Sequence, residues 1–252
     1  MIHYIWLKMT NDLVVGFTQS EKERIEKHLL RLIPHLIKDE FILVGGIIIR
    51  YYLTKKNIDY PPRPFNDLDI LIKYETSIKK SITKDFLIAH YHPKEGRAPY
   101  MALIDPITKV KDDFFDYEFA PNKINKIRFD KYLLNIQSVE DQLIKTVFDT
   151  QRISEKSKVD PNQFSDTKLL MQISNISLAS QYWDKKCRLK YNFSLKDAIN
   201  RAELITRDHP EWLREHPFDQ PKPYTCKECK DNKNFPITPM KEIYKILGKD
   251  KI

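Results

Sequence analysis

The sequence predicts an α+β fold: a mixed sheet with flanking helices over residues 1–130, followed by a helical domain over residues 131–252. Three observations predict it. An apolar run, Phe41 to Val44, leads into the adjacent glycines Gly45 and Gly46. Residues 67–73 and 100–119 then carry apolar and polar side chains in the alternation of half-buried strands. From Asn135 onward, apolar residues recur at the three-and-four spacing of amphipathic helices. The change of period near residue 130 marks the candidate boundary.

Taken in order, residues 1–19 read as an irregular or short-strand lead-in. Ser20 and Glu23 make a Ser-x-x-Glu capping box, in which each side chain satisfies an amide at a helix start. Ile25, Leu29, Leu32, Ile33 and Leu36 continue that helix, and Pro34 kinks or ends it. After the glycine pair, Ile47 to Leu53 is too short for periodicity to decide, and the strand-glycine-glycine context favours a helix. The polar, proline-rich stretch Lys55 to Pro64 is a loop, and Asp67 to Lys73 a strand. Residues 74–95 read as a short helix and a connection. Tyr100 to Ile104 and Val110 to Phe119 form a hairpin around Asp105-Pro106-Ile107-Thr108. Helices follow from Ser138 to about Glu155, from Ser165 or Asp166 through Leu178, from Ser194 to Thr206, and from Pro239 to Leu247, with an irregular proline-rich stretch after Pro210.

Composition narrows the class. No apolar run approaches the roughly 20 residues that cross a bilayer, and the apolar N-terminus lacks a basic region and cleavage site, so a cytoplasmic protein without a membrane partner is expected. Three cysteines, an odd and small number, argue against a disulfide framework. A net charge of +8 suits a polyanionic partner, because phosphate contacts release counterions. It also suits plain solubility.

Two motifs stand out. The chain has only five glycines and places two side by side after a strand, where a side chain would block a turn or a close approach. About twenty residues later, Asp67-Leu68-Asp69 opens an apolar strand, and period two puts both carboxylates on one face, where they can share a cation. A third carboxylate would come from the next acidic strand, with Asp113 and Asp116 as candidates. A solvated edge strand would explain the same acidic residues. Cys226-x-x-Cys229 is half of a zinc site or a pair of ordinary thiols. Cys187, His209 and His216 stand at no standard spacing from it, which favours the thiols.

Apolar strand, glycine pair, helix and D-x-D strand together resemble the nucleotidyltransferase superfamily, which includes DNA polymerase beta, the CCA-adding enzymes and the aminoglycoside nucleotidyltransferases. The stretch Arg63-Pro64-Phe65-Asn66-Asp67-Leu68-Asp69 is more closely similar to the AbiEii family, toxins of abortive-infection and type IV toxin–antitoxin systems, whose pattern is Arg-x-Ser-x-Asp-x-Asp. Phe65 departs from it, standing where the family has a hydroxyl residue. Lys145 in SVEDQLIKTVFD and Asp166 in FSDTKLL follow the family's order of a helical lysine and then an acidic residue opening a leucine-rich helix. The likeness covers residues 40–180.

The resemblance implies transfer of a nucleotide from an NTP to a hydroxyl, with two magnesium ions held by Asp67, Asp69 and a third carboxylate, for which it favours Asp113 over Asp116. Gly45 and Gly46 would admit the triphosphate at a helix N-terminus. Arg50, Arg63 and Lys145 are the candidate phosphate partners. The implied acceptor is RNA, in particular the tRNA 3′ end, and a toxin role would bring a cognate antitoxin. Nucleotidylation of a protein or small molecule, and a non-catalytic nucleic-acid-binding module, are the alternatives.

Overall fold

In the computed structural model, residues 12–14, 16–61, 63–117, 120–154, 159–187, 190–213, 229 and 232–248 are described. Helix α1 (Gln19–Leu32) opens not at Ser20 but at Thr18, which forms the capping box with Glu21: the Glu21 amide donates to Thr18 Oγ1 (3.4 Å) and the Thr18 amide to Glu21 Oε2 (3.2 Å). Its buried stripe, Ile25, Leu29 and Leu32, lies on the sheet's core face. Pro34 ends it through one 3-10 turn.

Strand β1 (Phe41–Val44) ends at Gly45, whose φ of 76° lies in the left-handed region that only glycine enters freely. Helix α2 (Gly46–Lys55) begins at once. Strand β2 (Asp67–Ile72) returns antiparallel to β1, with Val44 opposite Asp69. Residues 74–95, read as helix and connection, hold short 3-10 turns and a strand, β3 (Leu87–His92). The expected hairpin forms from β4 (Tyr100–Ile104) and β5 (Lys111–Asp116), which pair antiparallel. Glu118 and Phe119 lie outside the described residues. The sheet does not stop at residue 130: β6 (Ile124–Phe129) and β7 (Tyr132–Gln137) add a second hairpin, and β7 runs parallel beside β1.

The seven strands form one mixed sheet in the order β3-β4-β5-β2-β1-β7-β6. Far from being a solvated edge, β5 lies between β4 and β2 and pairs parallel with β2. One face, with Leu43, Leu68, Ile70, Phe114 and Met101, packs on α1 and forms the main core.

Helices α3 (Val139–Thr150), α4 (Asn162–Ile173), α5 (Ile176–Lys186) and α6 (Leu195–Asp208) follow. Where one helix was expected through Leu178, Ser174 ends α4, and Asn175 caps α5 by accepting the Leu178 amide at 3.1 Å. These helices share a core around Trp183, Leu143, Val147 and Leu170 that also takes in Ile49 and Leu53, so α2 packs into both halves of the protein. Helix α7 (Met240–Leu247) returns to the sheet, burying Ile243 against Ala89, Ala102 and Ile104. Among the described residues no helix is long and apolar enough to cross a membrane.

Candidate active site

The parallel register of β2 and β5 assembles the site. Asp67 stands opposite Lys111, and Asp69 opposite Asp113. Side chains alternate along a strand, so Asp67, Asp69, Lys111 and Asp113 share one face, with neighbouring strands roughly 4.8 Å apart. Asp112 and Asp116 take the other parity, opposite Leu68 and Ile72. Asp116 pairs there with Lys94 at 3.0 Å. Thus Asp113, rather than Asp116, stands beside the D-x-D pair.

Asp113 is buried and held at both oxygens. Lys111 Nζ lies 2.5 Å from Oδ2, and the Tyr100 hydroxyl donates to Oδ1 at 3.2 Å. Burial first, then the neighbouring Asp67 carboxylate, pushes Asp69 above the ordinary carboxylate range, and Lys145 and Lys111 offset this only in part. Asp67 is open to solvent at the start of β2, yet protein crowds its carboxyl from the site side. That crowding, aided by Asp113 and opposed by Lys111, raises it too. The site therefore holds more negative charge than its own lysines neutralise.

Gly45 presses against Asp69. A Cβ built on Gly45 would overlap Asp69 Oδ2 and stand 2.9 Å from its Cγ, whereas one on Gly46 would meet nothing within 4 Å. The Gly45 amide donates to Gln142 Oε1 at 3.1 Å, which ties α3 to the glycine turn. Gly46, on the first turn of α2, is exposed and faces open space. Lys145, one turn beyond Gln142 on α3, feels the Asp69 charge. Burial alone would lower it, but Asp149, 2.8 Å away, and Asp69 leave it raised.

The two arginines occupy protein contacts. Arg50 Nη2 donates to the Arg63 carbonyl (2.9 Å), and its guanidinium lies 4.0 Å from the Phe17 ring centroid. Arg63 donates to the Tyr60 hydroxyl (2.9 Å) and Ser165 Oγ (2.7 Å) and pairs with Asp166 (2.9 Å), joining the loop before β2 to α4. Phe65 is buried edge-on to Phe17, with ring centroids 6.0 Å apart. Of the expected zinc pair, Cys226 lies outside the described residues. Cys229 meets β3, with Sγ 3.0 Å from His90 Nδ1. Lys111, Tyr100 and Gln142 went unrecognised in the sequence. The first two had a local signal, a position two residues before Asp113 and one in the paired strand, but Gln142 had none.

The donor set suits a hard cation. Among the described residues, no three His, Cys, Asp or Glu side chains converge into a ready-made cage. Magnesium needs none, because it keeps waters and takes substrate phosphates beside one or two carboxylates. The excess charge at Asp67 and Asp69 is the feature such an ion would relieve.

No protein-family model matches the chain, and no curated protein matches it. Among solved structures it is similar to an antigenic nucleotidyltransferase-like protein from Paracoccidioides brasiliensis, at 13% identity over 80% of this chain and 89% of that one, with a TM-score of 0.38. So distant a likeness carries no argument about function.

Proposed function

We propose that the chain is a magnesium-dependent nucleotidyltransferase that moves an NMP from an NTP to a hydroxyl acceptor. One observation carries the proposal: Asp69 faces Asp113 across adjacent strands, on the strand face it shares with Asp67, while Gly45 at the start of α2 closes against Asp69.

Asp67, Asp69 and Asp113 would hold the metal, which supplies Lewis-acid stabilisation of the attacking and leaving oxygens when bound. Lys111 and Tyr100 fix the Asp113 carboxylate before substrate arrives. The first turn of α2 offers amides and the positive end of a helix dipole to the triphosphate. Lys145 adds a cation from α3. In the reaction the acceptor oxygen bonds to the α-phosphorus, the bond to the bridging oxygen breaks, and pyrophosphate leaves. Asp113, the carboxylate that Lys111 and Tyr100 hold in place, would take the acceptor's proton.

The positive net charge supports an RNA acceptor. A cleft of about 410 Å³ at the far end of α2 adds Lys55, Lys56 and Lys126 beside Tyr51 and Tyr52, side chains that suit a phosphate backbone and a base. The likeness to the AbiEii family extends the proposal to the tRNA 3′ end, a toxin–antitoxin role and a cognate antitoxin.

The test is incubation with each labelled NTP, magnesium and total RNA. A labelled RNA band that disappears with Asp69→Asn supports the proposal. Label on protein or a small molecule would move the acceptor and keep the chemistry. No transfer to any acceptor, with no NTP binding, would overturn it.

A further inference from the structure

We infer, on the nucleotidyltransferase reading proposed above, that the chain, given NTP and magnesium but no outside acceptor, transfers the NMP to its own Tyr100. A hydroxyl acceptor needs a carboxylate to take its proton, a place across the site from the departing pyrophosphate, and a fixed position. Tyr100 has each of these.

The carboxylate is in contact. The Tyr100 hydroxyl donates to Asp113 Oδ1 at 3.2 Å, within the reach at which a general base takes a proton. Lys111 holds the other oxygen, Oδ2. An outside acceptor delivering its proton to Asp113 would make the bond that Tyr100 makes.

The place follows from the strand order β4-β5-β2-β1. The glycine turn follows β1, Asp67 and Asp69 stand on β2, Asp113 on β5 and Tyr100 on β4. Ala102 lies opposite Asp113, and Tyr100, two residues before it, shares that face of β4. A triphosphate at the first turn of α2 would therefore have the carboxylates between it and the Tyr100 hydroxyl. In-line displacement asks for this order, with the attacking and leaving oxygens on opposite sides of the phosphorus.

The ring is held by its neighbours, with centroids 4.8 Å from His90 and 5.3 Å from Phe115, yet the side chain is only half-buried. An acceptor already ordered in the site is spared the entropy of being brought there. Tyr91 and Tyr52 lack this setting, since their hydroxyls donate to Glu75 and to the Gln137 carbonyl, outside the carboxylate cluster.

In the step the Tyr100 oxygen bonds to the α-phosphorus and the bond to the bridging oxygen breaks. Pyrophosphate leaves with that electron pair, and the tyrosine proton goes to Asp113. The product is a tyrosyl phosphodiester whose nucleotide fills the acceptor side of the site, so a single turnover silences the chain toward outside acceptors.

The test incubates the full chain with each α-labelled NTP and magnesium, without RNA, and maps the modified peptide by mass spectrometry. One NMP per chain is expected on Tyr100, with Tyr91 and Tyr52 unmodified. The fraction labelled at a given time should not change on dilution, because donor site and acceptor belong to one molecule. For the same reason an Asp69→Asn chain mixed with wild type should stay unlabelled. Modified wild-type chain should lose transfer to RNA. A chain that labels RNA or another outside acceptor while Tyr100 stays bare would overturn the proposal and leave the transferase reading standing. Label on a different residue of the chain, or on the Asp69→Asn chain in the mixture, would overturn it as well. Absence of transfer to any acceptor would overturn both.

Discussion

Gly45 and Asp69 touch across the β1–β2 pair so closely that no side chain fits at residue 45. The left-handed backbone at Gly45 and the orientation of the Asp69 carboxylate are thus one constraint. Gly45→Ala should lose at least about 2 kcal/mol of stability, from positive-φ strain together with the collision. It should also lose most transfer activity, because Asp69 must rotate away. Gly46→Ala has open space in the free protein and should melt at the wild-type temperature. If it nonetheless raises KM for the NTP, the triphosphate approaches the first turn of α2. Thermal melts beside steady-state kinetics separate the two effects.

Asp69 is raised by burial and by Asp67, so its charge opposes folding. Asp69→Asn should therefore leave the melting temperature unchanged or higher while abolishing transfer, on the order of a thousandfold or more. Asp113→Asn should follow it in activity. Asp116→Asn should not, because that side chain lies on the other parity and its pair with the partly exposed Lys94 contributes at most about 1 kcal/mol. Equal losses at 113 and 116 would show that the register does not choose the third carboxylate.

His28 gives the fold a pH limit. It is fully buried, with Nε2 2.7 Å from Asp112 and Nδ1 3.1 Å from Thr108 and 3.3 Å from Asp105. Burial would lower it, but Asp112 and Asp105 outweigh that and hold it at about 9, against an ordinary 6.5. A raised folded value means the stabilisation is fully present below about pH 6.5 and is lost as pH rises through about 9. The shift corresponds to about 3 kcal/mol. Chemical denaturation at pH 6 and pH 10 should show a drop of that order in the wild type. His28→Gln should be less stable at pH 6 and lose most of the pH dependence, since it leaves Asp112 buried without its cation.

What was legible in the sequence was what local geometry dictates. A glycine pair after a strand and a D-x-D at period two can be read from neighbours along the chain. The choice between Asp113 and Asp116 depends on which strand lies beside β2 and in what register, a long-range fact. Strands β6 and β7 were missed because their two-residue turn uses Asp130 in the left-handed region, φ 51°, rather than a glycine. The burial of Asp112 could not be read locally, because its buried partner, His28, lies 84 residues away in the sequence. Sequence reasoning could not separate a phosphate-binding arginine from one committed to an internal carboxylate.

Arg63 is the residue on which those two readings diverge. Its side chain is 11% exposed and joins Tyr60, Ser165 and Asp166, the last with a side chain 9% exposed. Removing the guanidinium strands a buried carboxylate, so Arg63→Ala should cost about 3 kcal/mol in a denaturant melt. Arg63→Lys should recover only part of this, because an ammonium cannot reproduce the fork to Ser165 and Asp166 or the stack on Tyr60, 4.8 Å from the ring centroid. Asp166→Asn should relieve the stranded charge and restore stability to the Arg63→Ala background, as a double-mutant cycle would measure. A phosphate-binding role gives the opposite pattern: Arg63→Ala would melt like the wild type and raise KM for the NTP with kcat little changed.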